Sequence, residues 1–316
     1  MNQPRIETLQ GAVRLTDWGV IRAQGADAAS FLHGQLTQDV QQLDEHGARL
    51  AGFCTAKGRL LASLIVWRAG ADELLLACSA DVLPATLKRL SMFVLRAKCR
   101  LSDASEAIAL HGLAGDSAAQ WLGGDAPASP WRRANRADDL GTHVLRLPDS
   151  EGASRYLLAA PTDAPAPALP ALSAQDWAWL EVGSGVPRIV AATVEQFVPQ
   201  MINFELVGGV NFQKGCYPGQ EIVARSQYRG TVKRRAFVFD STAPALPGQE
   251  VFHGADAEQP AGMVVNAASL GGVHRALVEV KLAALEEGSL HLGAAGGPRL
   301  QRAARQPYAV PVEVAA

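Results

Sequence analysis

The chain has 316 residues, of which 48% are hydrophobic and 19% are charged, and its formal net charge is −2 at pH 7. This length allows roughly two or three domains with sizeable cores. Because the charges nearly balance, the composition excludes a protein that attracts nucleic acid or membranes through its overall field.

The termini and the rarer residues narrow the class of protein further. The N-terminus lacks the basic-then-apolar pattern of a signal peptide, and no apolar run reaches the roughly 18 residues that span a bilayer. The seven histidines form no HxH or HxxxH pair, so no metal site is predicted. The four cysteines form no CxxC pair, which argues against a zinc ribbon, a redox dithiol or a self-contained iron–sulfur site. We therefore expect a soluble, cytoplasmic protein.

The first 160 residues alternate between patterns typical of strands and of helices. Apolar residues recur at helical spacing after Asp27, from Ala28 to Leu36, and again from Leu83 to Val94. Short apolar runs predict seven strands: Gly19–Ala23, Arg49–Cys54, Leu60–Trp67, Glu73–Cys78, Ala107–Leu110, Thr142–Leu147 and Arg155–Ala159.

The second half begins with a proline-rich segment and ends in short strands. Residues 160–171 contain four prolines and are interpreted as a linker. Ser173 and Asp176 form a capping-box pattern that predicts a helix with Trp177 and Glu181. From about Arg234, strands separated by Gly/Pro turns predict a small all-β barrel or sandwich: Ala236–Asp240, Gly262–Ala267 and Arg275–Val280.

The octapeptide KGCYPGQE at 214–221 carries the most chemistry. Cys216 follows Lys214 and precedes a predicted helix, with Pro218 suited to the first helical turn. The positive end of a helix dipole and a nearby lysine both favour thiolate over thiol. Two interpretations stay open, an accessible reactive cysteine and a buried structural cysteine in a Gly/Pro turn.

Two further features could bind ligands. The segment Lys214–Arg235 has six basic side chains and one acidic one, which indicates either a polyanion site or a solvated basic loop. Glu181, beside the turn Gly183–Gly185, could accept paired hydrogen bonds from an amidine-like edge such as that of a pterin. The alternative for Glu181 is an ordinary exposed glutamate at a helix end.

The octapeptide and its continuation to Arg225 resemble the signature of the YgfZ family of folate-binding proteins, which help to assemble or repair iron–sulfur enzymes. The resemblance continues in order along the chain. Its other parts are Gly25–Ala28, Phe31–Asp39, Lys57–Leu60, Pro187–Arg188, Phe197–Gln200, Tyr228–Gly230 and Lys233–Arg235.

The resemblance implies a fold and a domain organisation. The family is similar to the aminomethyltransferase of the glycine cleavage system, so the implied fold is α+β, three-lobed and folate-binding, with a C-terminal all-β barrel domain. The expected units are N-terminal α+β lobes at 1–160, a linker, pterin-contacting helix and cysteine motif at 161–233, and the barrel at 234–316.

The resemblance also implies residue roles. Cys216, assisted by Lys214, would be the working group, and Glu181 would hold the pterin of tetrahydrofolate. Contacts to the rest of the folate are expected from three residues of the motif region: Arg225, Arg229 and Tyr217. The expected partners are folate and client iron–sulfur enzymes or assembly factors. A membrane partner and direct contact with nucleic acid are not expected.

One departure from the aminomethyltransferase pattern bears on the reaction. Those enzymes carry an aspartate in a strand that matches Gly58–Val66, where this chain has Ala62 and Ser63. Neither side chain accepts a proton as a carboxylate does. Two alternatives are weighed against the accessory role: a folate-dependent aminomethyl or one-carbon transferase, which this departure disfavours, and a nucleic-acid-binding module built on Lys214–Arg235.

Overall fold

A computed structural model describes residues 9–136, 139–228 and 232–311. In this part of the chain the helices are α1 (Ala28–His33), α2 (Leu83–Ser91), α3 (Gly115–Leu122), α4 (Ala174–Gly183) and α5 (Gln220–Tyr228). Two five-stranded antiparallel sheets and one closed barrel account for the strands.

The first sheet has the strand order β3-β4-β5-β2-β6. Helices α1 and α2 cover one of its faces, where Phe31, Leu32 and Leu90 pack against Ile21 and Leu64. The other face contributes to the central core, so β4 and β5 are buried on both faces and read as almost continuous apolar runs. The strands are β2 (Trp18–Gln24), β3 (Ala48–Cys54), β4 (Leu60–Gly70), β5 (Glu73–Ser79) and β6 (Arg100–Asp103).

The second sheet has the strand order β1-β7-β10-β9-β8. Helix α3 packs on it through Ala118 and Leu122, which meet Leu113, Val144 and Tyr156. The strands are β1 (Gly11–Arg14), β7 (Ile108–Ala114), β8 (Arg133–Arg136), β9 (Asp139–Ser150) and β10 (Ala153–Pro161).

The C-terminal strands close into a barrel in the order β11-β14-β13-β12-β15-β16. Phe237, Val251, Val264, Val278 and Leu292 contribute to its interior. The prediction of an all-β C-terminal unit is confirmed, and closure leaves no unpaired sheet edge there. The strands are β11 (Arg234–Ser241), β12 (Glu250–His253), β13 (Asp256–Leu270), β14 (Val273–Lys281), β15 (Leu290–Leu292) and β16 (Arg299–Arg302).

Helix α4 lies where the two sheets and the barrel meet. Its side chains Trp177 and Trp179 belong to one buried cluster with Trp67 of the first sheet, Leu157 of the second and Leu277 of the barrel. A helix with apolar side chains in several directions buries them against several neighbours. The α4 backbone therefore fixes the position of Glu181 relative to all three parts of the fold.

The predicted capping box of α4 is confirmed. The Ser173 hydroxyl accepts a hydrogen bond from the Asp176 amide at 3.1 Å, and the Asp176 carboxylate accepts one from the Ser173 amide at 2.8 Å. Asp27 also occupies an N-cap position, but its carboxylate accepts a hydrogen bond from the Lys98 amide instead. One aspartate, Asp176, therefore completes the capping box of α4, whereas the other, Asp27, fastens a loop beside α1.

The structure corrects several element boundaries. Leu36 and Val94 lie beyond the ends of α1 and α2, because apolar residues of the following loops also reach the core. Pro218 does not lie in a first helical turn, because α5 begins two residues later at Gln220. The strands that the patterns missed outside the barrel are β1, β6 and β8, which are edge strands with more exposed polar residues.

The proline-rich segment is not a free tether along its whole length. The Ala12 amide donates to the Pro170 carbonyl at 2.9 Å, and the Leu172 amide donates back to the Ala12 carbonyl at 2.9 Å. The segment therefore lies along β1 just before α4. The barrel begins at Arg234, the predicted start of the last unit, while the domain boundaries themselves stay predictions.

None of the helices within the described ranges is both long and apolar enough to cross a membrane.

Candidate functional site

A cavity opens between α4 and the two sheets, and Glu181 lies in its wall. It is bounded on one side by the first sheet and on the other by the second sheet and the turn after α4. Its lining residues are Trp18, Leu50, Ser63, Ile65, Trp131, Leu147, Pro148, Arg155, Glu181, Val186, Pro187 and Arg188.

Glu181 is a buried carboxylate, not an exposed residue at a helix end. Its side chain is 15% exposed, and its Oε2 lies 3.7 Å from a guanidinium nitrogen of Arg188. Burial raises the pKa of Glu181, and the positive charges of Arg188 and Arg155 only partly oppose that effect. Burial at the cavity wall therefore disfavours the charged form of Glu181.

The arginines beside Glu181 are held in place but keep donors free. Arg188 donates to Asp17 Oδ2 at 2.7 Å and stacks over Trp18 at 5.0 Å. Burial lowers the pKa of Arg155 to about 10. Within the described ranges, Nη1 of Arg188 and Nε of Arg155 are buried without a hydrogen-bond partner. Since unpaired buried donors are costly, both atoms are available to a polar ligand with acceptor atoms.

The two residues at the aspartate positions lie on opposite faces of β4. Ser63 lines the cavity, and its hydroxyl accepts a hydrogen bond from the Ile189 amide at 2.9 Å. Ala62 packs in the core beneath α1. At this position of β4 the cavity wall therefore presents a hydroxyl and no carboxylate.

Cys216 lies in the loop 211–219, which precedes α5, and it is exposed, whereas Cys54 and Cys78 are buried and Cys99 is half-buried. Burial raises the pKa of the Cys54 and Cys78 thiols to about 12. Of the two interpretations of Cys216, the accessible cysteine fits the structure and the buried structural cysteine does not.

Lys214 fastens the cysteine loop to α1. Its ammonium donates to the carbonyl oxygens of His33 at 2.6 Å and Gly215 at 3.1 Å, and it lies 4.7 Å from the ring centre of Tyr217. Burial lowers the pKa of Lys214 to about 8, while the charges of Asp39 and of a Cys216 thiolate oppose this effect. A negative charge at Cys216 therefore favours the charged form of its lysine neighbour.

Motif segments that are far apart in sequence meet around this loop. Gly219 has φ +82°, and a Cβ there would lie 2.7 Å from the Cα of Gly58 in the turn between β3 and β4. A glycine is needed at 219 both for this backbone conformation and for this approach. The Gln200 side chain donates to the Val223 carbonyl at 2.8 Å and joins a third segment to α5.

The basic segment at the motif is not a single basic surface. Arg234 pairs with Glu279 through two nitrogens, and Arg235 pairs with Glu205 in the interior. Lys214 is buried against carbonyl groups. Of the predicted folate contacts, Arg229 lies outside the described residues. The interpretation as one solvated or polyanion-binding surface is therefore wrong for at least three of the six basic side chains.

The structure separates the predicted site residues into two groups. Glu181 lines the cavity between the sheets, whereas Cys216, Lys214 and Tyr217 form the loop at α1. Arg225 lines a third place, a cavity beside α5 that it shares with Lys233 and Arg234. The described lining of the Glu181 cavity includes no residue of the octapeptide. The folate-contacting roles of Arg225 and Tyr217 stay predictions.

Sequence reasoning missed the residues that flank each group. Arg155 points from an apolar strand into the Glu181 cavity, and a buried arginine in such a strand gives no local signal. Arg188, His33 and Asp39 fall within segments that carry the family resemblance, but nothing in the sequence placed them beside Glu181 or Lys214.

Comparison of the whole sequence finds relatives, although no family model matches the chain. A protein from Edwardsiella ictaluri (strain 93-146) named tRNA-modifying protein YgfZ is 36% identical over 245 residues, which cover 74% of this chain and 72% of that protein. A protein of the same name from Serratia proteamaculans (strain 568) is 31% identical, and the match covers 74% of this chain and 72% of that protein. Another from Shigella boydii serotype 18 is also 31% identical, and the match covers 77% of each chain.

Comparison of the structure finds the glycine cleavage system aminomethyltransferase T from Bartonella henselae. The TM-score is 0.72 at 16% sequence identity, and the match covers 96% of this chain and 87% of that one. At this identity the likeness establishes the fold alone. The prediction of an α+β, aminomethyltransferase-like fold with a C-terminal barrel is confirmed.

Proposed function

The chain belongs to the YgfZ family, and from this membership we propose that it is a tetrahydrofolate-binding accessory protein that assembles or repairs iron–sulfur enzymes through Cys216. The observation that carries the proposal is the Cys216 loop. Segments from α1, from the β3–β4 turn and from the region before α5 hold the loop, and its thiol stays exposed. An ordered loop with an accessible thiol suits exchange with a partner protein.

The Glu181 cavity supports the folate part of the proposal. A buried carboxylate accepts hydrogen bonds from the amino and ring N–H groups of a pterin, and the unpaired donors of Arg188 and Arg155 suit its acceptor atoms. Bound tetrahydrofolate would supply nitrogen atoms that can carry a one-carbon unit. Glu181 would fix the orientation of the pterin, while Trp18 and Ile65 would exclude water from its faces.

Ser63 argues against aminomethyl transfer as the main activity. Its hydroxyl at the cavity wall has neither the charge nor the basicity of a carboxylate, so it stabilises a cationic one-carbon intermediate poorly. The proposal therefore assigns the folate a binding role and assigns the chemistry to Cys216.

The name of the relatives fits an indirect effect on tRNA. An accessory protein that keeps an iron–sulfur tRNA-modifying enzyme active alters tRNA without binding it. The pairing of Arg234 and Arg235 with internal carboxylates supports this interpretation, because it removes charge that would otherwise face a phosphate backbone. The site of action is then the cytoplasm, where such clients would be found.

Replacing the thiol tests the role of Cys216. Cells that lack this protein would be supplied with the wild type, with Cys216→Ser or with Cys99→Ser, and the activity of an iron–sulfur enzyme would be measured. We expect Cys216→Ser to restore none of the activity and Cys99→Ser to restore all of it, with both variants folded. Full restoration by Cys216→Ser would overturn the proposal.

Calorimetry tests the folate site. We expect wild type to bind tetrahydrofolate with a Kd in the micromolar range, which corresponds to about −8 kcal/mol. Glu181→Ala should lose binding, while Glu221→Ala, at an exposed carboxylate on α5, should keep it. Equal binding by wild type and Glu181→Ala would place the ligand elsewhere, and no binding by wild type would remove folate from the proposal.

A further inference from the structure

His33 and Asp39 form an ordered pair beside the cysteine loop. The His33 ring nitrogen Nδ1 lies 3.1 Å from Asp39 Oδ1, and the two side chains are only 15% and 16% exposed. Asp39 Oδ1 also accepts a hydrogen bond from the Gln42 amide at 3.1 Å, which fixes the carboxylate. Because a carboxylate only accepts hydrogen bonds, the neutral imidazole donates from Nδ1 and keeps its lone pair on Nε2.

The free ring nitrogen faces the residue before the working cysteine. A Cβ at Gly215 would lie 3.3 Å from His33 Nε2, so the imidazole edge lies beside Gly215 with room for no side chain there. Among the described residues, Nε2 has no hydrogen-bond partner. A side chain at 215 would fill the gap between the imidazole and the loop, and glycine keeps it open.

The charged and titratable groups around His33 come from two elements. Asp39 follows on the same segment, and Lys214 reaches from the loop to the His33 carbonyl. Cys216 interacts electrostatically with Lys214, and Tyr217 lies under its ammonium with a pKa that burial raises. The cluster thus contains one carboxylate, one ammonium, one imidazole and one exposed thiol.

We propose that His33, oriented by Asp39, is the proton acceptor for the Cys216 thiol through one intervening water, and that Lys214 holds the two segments together. The inference rests on the proposed role of Cys216 as the reacting group. It assigns functions to three residues on two segments that lie 181 residues apart at the Lys214–His33 bond. The cysteine loop thereby becomes part of a two-segment site.

The proton balance of the step is simple. The Sγ–H proton passes to His33 Nε2, which leaves a thiolate and an imidazolium, and Asp39 stabilises the imidazolium through its Nδ1–H. The thiolate then attacks an electrophilic carbon or sulfur. With iodoacetamide as the electrophile, an S–C bond forms, iodide leaves, and the imidazolium later releases its proton to solvent. No oxidant or reductant is required.

Alkylation measured against pH tests the inference on the full chain in a Cys99→Ser background, because the buried Cys54 and Cys78 are silent. The rate at which iodoacetamide labels the Cys216 peptide would be followed by mass spectrometry from pH 5 to pH 10. We expect the reference protein to be labelled faster at neutral pH than a variant without the imidazole, since the imidazole accepts the thiol proton.

Two substitutions of His33 distinguish a residue that acts as a base from one that has only a structural role. His33→Asn can keep a side-chain N–H donor to Asp39 but has no lone pair in place of Nε2, and His33→Gln changes that hydrogen bond as well. We expect both to label about tenfold more slowly at pH 7, as for a shift of one pH unit in thiol ionisation. The variants should match the reference by pH 10, where the thiol ionises without help.

Asp39→Asn should shift the same profile towards higher pH, because an amide can donate to Nδ1 and change the tautomer. His46→Gln, at an imidazole that is 65% exposed, is the matched control and should superimpose on the reference. Asp39→Asn also removes a charge that raises the pKa of Lys214, so the His33 variants, which keep Asp39, decide the test. A His33→Asn profile that superimposes on the reference would overturn the inference. A tenfold loss of labelling rate that persists at pH 10 would overturn it too, because it would indicate blocked access to the thiol.

The alkylation assay contains no folate and no client enzyme. If His33→Asn shifts the profile while Cys216→Ser still restores the iron–sulfur enzyme in cells, the proposed function fails and the His33 inference stands. If the profile is unchanged while Cys216→Ser abolishes restoration, the proposed function stands and His33 is only a structural residue.

Discussion

At the scale of single residues, this protein places three carboxyl groups where burial disfavours their charged form. Glu181, Glu205 and Glu279 all have pKa values raised by burial, each opposed by a neighbouring arginine. Glu205 and Glu279 pair closely with arginines of β11. Glu181 has only a 3.7 Å approach to Arg188, so its charge stays partly uncompensated. A ligand with N–H donors would supply what is missing.

The difference in free energy of unfolding between Glu181→Gln and wild type should therefore favour the variant more at neutral pH than at acidic pH. A carboxyl whose folded pKa is raised binds its proton more tightly in the folded state. The wild type then loses stability as the pH rises from the unfolded value of about 4.5 through the folded value. Glutamine does not ionise, so the difference in free energy of unfolding should grow from pH 4 to pH 7.

Thermal unfolding of the two proteins at several pH values measures this difference. Glu221→Gln serves as the control, since its carboxylate is exposed and its substitution should give a nearly constant difference. A difference for Glu181→Gln that stays flat or shrinks with rising pH would contradict the buried-carboxylate account.

At the scale of elements, α4 is the part that positions the carboxylate of Glu181 in the cavity wall. Its apolar faces are buried among both sheets and the barrel, and its start is fixed by the reciprocal hydrogen bonds of Ser173 and Asp176. The helix has ten residues, so the backbone groups at its ends, which lack partners within the helix, are a large share of all its backbone groups.

Ser173→Ala should destabilise the protein by about 1 kcal/mol, since it removes the hydroxyl that caps the Asp176 amide. For a chain of this size this corresponds to a drop of roughly 2 °C in Tm. Ser226→Ala is the matched control, because that hydroxyl only bonds back to the Ile222 carbonyl within α5. Scanning calorimetry measures both, and equal shifts for the two variants would contradict a capping role for Ser173.

At the scale of the whole molecule, a buried ion pair joins the barrel to the body. Arg235 on β11 pairs with Glu205, with side chains 6% and 5% exposed, and also donates to the Gln200 carbonyl at 3.0 Å. Gln200 in turn binds the Val223 carbonyl of α5. The barrel, the segment before the cysteine loop and α5 are thus connected through one polar cluster.

Arg235→Met should destabilise the protein by about 3–5 kcal/mol at pH 7, because Glu205 is left charged and buried without its partner. The loss should be smaller at pH 5, where Glu205 takes up a proton more readily. The double variant Arg235→Met/Glu205→Leu should recover most of the stability.

Arg132→Met is the comparison for this ion pair, since Arg132 and Asp44 are 44% and 57% exposed and their pair should contribute at most about 1 kcal/mol. Denaturant unfolding of the four proteins at pH 5 and pH 7 provides the measurement. A double variant no more stable than Arg235→Met would show that shape, not charge, makes the pair important.

Local patterns in the sequence specified much of this architecture. Apolar alternation and helical spacing identified β2 to β5, α2 and the three longest barrel strands, because these periodicities depend only on neighbouring residues. The capping box of α4 was readable for the same reason. The edge strands β1 and β8 were not, since each pairs with only one neighbouring strand and its exposed residues dilute the apolar pattern.

The octapeptide identified the family and singled out Cys216, because a dense motif carries its information in consecutive residues. The surroundings of that cysteine depended on the folded chain. His33 and Asp39 come from a segment some 180 residues earlier, which the folded chain joins to the loop through the Lys214 bond and through the bond from the Asn211 amide to the Thr37 carbonyl. Likewise, whether Arg234 and Arg235 were free surface charges or internal ion pairs was set by Glu279 and Glu205, which are distant in sequence. Periodicity and motifs are local properties, whereas burial and charge pairing are properties of contacts between distant segments, and the chemistry of both sites depends on the latter.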